Sequence, residues 1–211
     1  MTLNYVRSAW LFCAVTTFAP ILGAAQFLAA QPSAQISTPL TAVVLPDGRY
    51  SQVALREMGR EAAHILKRSG ISLRWRVGEP AQAVSGFLVV VKLLGRCDMD
   101  GAPAFPAPGP LGWAHEVNGT ILPFSDLACD NLRGAVQLAM LAGNRLRGNI
   151  LLGRAMGRVL AHELYHIVTD KPAHGKAGVA QAALTPRELT SGLLELEPSE
   201  IAAVQSGLGR R

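Results

Sequence analysis

Gly157-Arg158-Val159-Leu160-Ala161-His162-Glu163-Leu164-Tyr165-His166-Ile167-Val168-Thr169-Asp170 is the stretch from which the rest of the chain can be placed. Leu160, Leu164, Ile167 and Val168 recur at three- and four-residue steps, which predicts a helix with an apolar side. His162 and His166 are four apart, one turn apart on the same face of that helix. Two imidazoles so placed can bind one metal ion. Glu163, beside the first of them, can reach a water at that ion without ligating it. Tyr165 points to a different side. The helix is expected from about Ile150 to Thr169, with Lys171-Pro172 ending it.

A zinc site that does chemistry needs a third protein ligand and one open position. His174 is the preferred third ligand, because the turn Asp170-Lys171-Pro172 can return the chain to the same helix edge. Glu188 is the runner-up, since it opens a following helix; Glu195 and Glu197 come after it. Asp170 reads as a turn or helix-end residue that can also orient an imidazole.

This stretch resembles the zincin metallopeptidases, whose fingerprint is His-Glu-x-x-His. With His174-Gly175 and Gly178-Val179 it is similar to a set of small exported bacterial proteins with a metzincin-like site. The preceding Gly153-Arg154 and Gly157-Arg158-Val159-Leu160-Ala161 also fit them. Two features depart from true metzincins: the third His follows at a longer spacing with Asp170 in the connection, and Ala180 stands where a methionine is expected. The resemblance implies a zincin fold and a zinc-dependent metalloendopeptidase. Zn²⁺ would be held by His162, His166 and His174. A zinc-bound water would attack a peptide carbonyl, with Glu163 as general base. It also implies an edge strand above the active-site helix, where a peptide or protein substrate pairs as an added strand. Trp113 to Val117 is the candidate edge, and His115 on it reads as an exposed strand residue or a substrate contact. A non-catalytic zinc-binding envelope or secreted protein, with a fourth protein ligand such as Glu188, stays open beside this. So does an exported binding protein without a metal.

Outward from the motif, helical spacing predicts a helix from Tyr50 to Arg68, ended at Ser69-Gly70, with His64 a structural or surface residue on it. Ile71 to Val77 alternates as a half-buried strand, and Gly86 to Leu94 is an apolar run typical of a central strand. Residues 97–112 form a Pro/Gly-rich loop. Trp113–Val117 and Thr120–Phe124 are short strands about the turn Asn118-Gly119. Ser125-Asp126 can cap a helix to about Leu141. Thr185-Pro186-Arg187-Glu188 and Pro198-Ser199-Glu200 start two C-terminal helices. The layout is α+β, a small mixed β-sheet packed on helices.

The N-terminus carries Arg7, then an apolar run from Ala9 to Leu28 with small residues at Gly23-Ala24-Ala25 and Ala29-Ala30. That is the pattern of a signal peptide over 1–25, with cleavage as late as residue 30 as the second choice. Residues 26–48 read as an extension in which only Val43-Val44-Leu45 suggests a short strand; Gln31 to Pro46 is placed to cover a cleft. The domain proper is expected over 49–211. Export, periplasmic or extracellular, makes a disulfide between Cys97 and Cys129 the preferred reading over two buried thiols. No stable membrane anchor is expected after cleavage. The formal charge is +5, but the basic residues are scattered, so nucleic acid is not an expected partner.

Overall fold

The computed structural model describes residues 38–78, 86–105, 108–141 and 147–210, all within one compact unit, Gln35–Arg211. The predicted leader lies outside these residues. Inside the sheet lies β1, Thr38–Pro46, bonded in parallel to β2, Ile71–Val77, on one side and to β3, Phe87–Leu94, on the other. This corrects the reading of 26–48 as an extension and of the segment up to Pro46 as a cleft cover. Leu40, Ala42 and Val44 are fully buried, and the two prolines, Pro39 and Pro46, stand near the strand ends, where they remove few ladder bonds. The domain therefore begins before residue 49.

The sheet order is β2-β1-β3-β5-β4, where β4 is Gly112–Val117 and β5 is Thr120–Ala128. β5 runs parallel to β3, and β4 turns back antiparallel to form the edge. The turn works because Asn118 and Gly119 both take positive φ, 51° and 79°, as a two-residue hairpin of this hand requires. β5 outruns its predicted end at Phe124, because Phe124–Ala128 pair with Val90–Leu94. The helix expected from Ser125-Asp126 therefore begins later, as α2, Cys129–Leu141. Cys97 and Cys129 sit at disulfide distance, with Cα atoms 5.0 Å apart. They fasten the end of β3 to the start of α2, across the irregular segment that leads to β4.

Helix α1, Gln52–Lys67, is capped by Ser51 and buries Leu55, Met58, Ala62, Ile65 and Leu66. It lies against α3, Gly148–Thr169, which is buried along most of its length. The two backbones touch at Gly153 and Gly157. A Cβ at Gly153 would lie 2.4 Å from the Ala54 carbonyl, and one at Gly157 would lie 2.7 Å from that of Met58. Two short helices follow, α4 over Pro186–Thr190 and α5 over Pro198–Leu208. Among the described residues no helix is long and apolar enough to cross a membrane. The fold is α+β, a five-stranded mixed sheet packed on helices, and it fixes α3 beside the edge strand β4.

Candidate metal centre

His162 and His166 project from the same side of α3, and each is fixed by its Nδ1. His162 Nδ1 is 2.8 Å from the Val179 carbonyl, and His166 Nδ1 is 2.7 Å from that of Lys171. A carbonyl oxygen only accepts, so each Nδ1 carries the proton and each Nε2 keeps a lone pair. Those two Nε2 atoms face each other at 3.0 Å. Two lone pairs aimed at one another repel, and a cation between them removes the conflict. Nitrogens bound to a shared zinc at about 2.0–2.1 Å stand at about this separation. Burial pushes His162 down to about 4, against the opposing Val179 bond, and also lowers His166 against its Lys171 bond. Both rings are therefore neutral near pH 7, the form that ligates metals.

His174 reaches the same point from beyond the helix. Asp170 takes a left-handed conformation, φ 53°, and ends α3 there. Its Oδ1 accepts from the Ile121 amide at 2.8 Å, so its carboxylate holds β5 rather than an imidazole. The chain then turns, and the Gly175 amide donates to the Ala180 carbonyl at 2.8 Å. The His174 ring centroid lies 5.2 Å from that of His162 and 4.8 Å from that of His166. One ligand atom from each of the three histidines falls within 4.8 Å of the others, a group that could hold a metal ion.

The runner-up ligands are committed elsewhere. Glu188 closes the capping box of α4 with Thr185 and accepts from Gln181 at 3.0 Å. Those bonds draw its pKa down to about 2. Glu195 pairs with Arg68, and Glu197 caps α5. Tyr165 is 7% exposed, and its ring stands edge-on to that of His166, with 5.4 Å between centroids. Ala180 is fully buried.

Glu163 is 4% exposed and lies under β4, where the Ala114 amide bonds its carboxylate. Burial pushes its pKa up to about 7, with the Ala114 bond opposing. β4 comes this close because Gly112 has no side chain: a Cβ there would meet Val159 at 2.6 Å and Glu163 Oε1 at 3.2 Å. Between β4 and the 181–184 segment runs a cleft of about 570 Å³, whose lining includes all three histidines and Glu163. Apolar side chains of Leu111, Ala135, Val159 and Leu184 line it further.

His115 does not enter this cleft; it bonds Asp126 at 3.0 Å. The register of β4 slips between Ala114 and Glu116, and Glu116 lines the cleft instead. Alternation from Gly112 and Ala114 puts Glu116 on this face and His115 on the other. The Val179 and Lys171 carbonyls were also invisible to the sequence; only the Asp170-Lys171-Pro172 turn signal pointed near one of them. No protein-family model matches the chain, and no curated protein is significantly similar to it.

Proposed function

We propose that the chain is an exported zinc-dependent peptidase of the zincin type. The observation that carries this is the pair of Nε2 atoms on α3, oriented by backbone carbonyls toward a common point that His174 also reaches. His162, His166 and His174 hold the ion, and three protein ligands leave a position open. Bound there, zinc supplies a Lewis acid that acidifies water and polarises a carbonyl. Glu163 takes the proton from the attacking water and returns it to the leaving amine. The Ala114 amide keeps the Glu163 carboxylate aimed while that proton moves. The free edge of β4 offers backbone donors and acceptors to an extended peptide lying in the cleft. Cys97 and Cys129 at disulfide distance support an oxidising, extracytoplasmic location.

The test is hydrolysis of a quenched-fluorescence peptide library by zinc-loaded wild type and by Glu163→Gln. Wild type should cleave a subset, and Glu163→Gln should lose at least about 100-fold in kcat with zinc still bound. Equal rates for the two proteins would end the proposal that Glu163 is the base.

A further inference from the structure

The acidic side chains of this molecule are nearly all spoken for. Among the described residues, Glu57 and Glu61 pair with arginines, and Glu188 and Glu200 complete helix caps. The described aspartates each meet a base or an amide. Among the described carboxylates, Glu116 stands apart in having neither ion pair nor hydrogen bond. Solvent exposure alone would make that unremarked, since a hydrated carboxylate costs nothing. Its place is what matters. Glu116 and Glu163 are the only carboxylates on the cleft lining, and Glu163 is occupied beneath β4. Gly112, Ala114 and Glu116 alternate onto the cleft side of β4, and His115 falls on the other face, against Asp126. Glu116 stands two residues past Ala114, the residue over Glu163, which is about 7 Å along a strand.

We propose that Glu116 selects a cationic group on the bound peptide, about two residues from the bond over Glu163. The cation is a Lys or Arg side chain or the peptide's own terminal ammonium. A carboxylate facing a groove with low-dielectric walls attracts such a group more strongly than one on open surface. This specificity rests on the peptidase reading of the cleft, and its test is separable from it.

The experiment measures binding, by fluorescence anisotropy, to the full zinc-loaded chain carrying Glu163→Gln. One peptide series is acetylated, with Lys, Arg, Gln or norleucine scanned through each position. A second series is neutral with a free terminal amine. Cationic peptides should bind about tenfold tighter than neutral ones, a modest partly exposed pairing. Adding Glu116→Gln should abolish the difference, and adding Glu116→Lys should turn it toward peptides with Glu. A preference in the acetylated series assigns the side chain; one confined to free amines assigns the terminus. Equal binding of all peptides, no binding of any, or a preference that survives Glu116→Gln overturns the proposal. If wild type cleaves none of these peptides while the Glu116-dependent preference holds, the hydrolytic reading falls and the cleft specificity stands.

Discussion

Helix α3 carries two buried polar clusters one turn apart, and they are built on opposite plans. Arg158 is closed: its guanidinium donates to Glu61 at 2.8 Å, to the Ser191 and Gly192 carbonyls at 3.0 and 2.7 Å, and to the Glu188 carbonyl. The cluster ties α1, α3 and the α4 turn together and leaves nothing to offer. The histidines are open: each spends its Nδ1 on a carbonyl and leaves its Nε2 turned toward a neighbour's lone pair. A polar group kept for stability satisfies itself, because an unpaired buried group costs free energy. One kept for a ligand leaves its strongest donor atom uncommitted.

Breaking the closed cluster should cost most. Arg158→Met leaves the buried Glu61 carboxylate with only its longer, 3.4 Å pairing to Arg60, and the folded state should lose about 3 kcal/mol. Denaturant melts check this, and the double variant with Glu61→Met should recover much of the loss. A loss below about 1 kcal/mol in Arg158→Met would mean that water reaches Glu61 freely.

The next effect belongs to the open cluster without metal. His162 is pushed by burial from an ordinary value of 6.5 to about 4. Below pH 6.5 the unfolded chain takes up a proton that the folded chain refuses. The His162 contribution to the stability of the metal-free protein should therefore fall by about 3 kcal/mol as pH drops from 6.5 toward 4, while Glu163, raised by burial to about 7, contributes the opposite slope between 7 and 4.5. Chemical melts of the Glu163→Gln protein across that span should show the histidine slope alone, and adding His162→Leu should flatten the curve.

The smallest effect on stability sharpens the contrast furthest. His174 is exposed, so His174→Ala should change metal-free stability by less than about 0.5 kcal/mol. The same change should weaken zinc binding by more than about 100-fold, read by chelator competition. A large stability loss with unchanged zinc affinity would place His174 among the packing residues.

What the sequence made legible follows the range of the interactions involved. The helix with its two histidines, the Asn118-Gly119 turn and the Thr185 cap are local, set by neighbours three or four residues away. β1 was read as part of an extension because its burial comes from pairing with residues that lie 33 and 47 positions on, Ile71 with Thr38 and Phe87 with Leu40. His174 was reachable because a turn signal precedes it. The carbonyls that orient His162 and His166 have no residue-type signature. Alternation along β4 separates Glu116 from His115, but which face meets the cleft is set by the packing of β4 on α3, which has no local signature.

The most direct measurement is metal analysis of the purified chain after loading with zinc and dialysis against a weak chelator, beside His162→Ala. One zinc per wild-type chain and none in His162→Ala is the predicted result. Zinc absent from wild type, or retained equally by His162→Ala, would contradict the three-histidine centre.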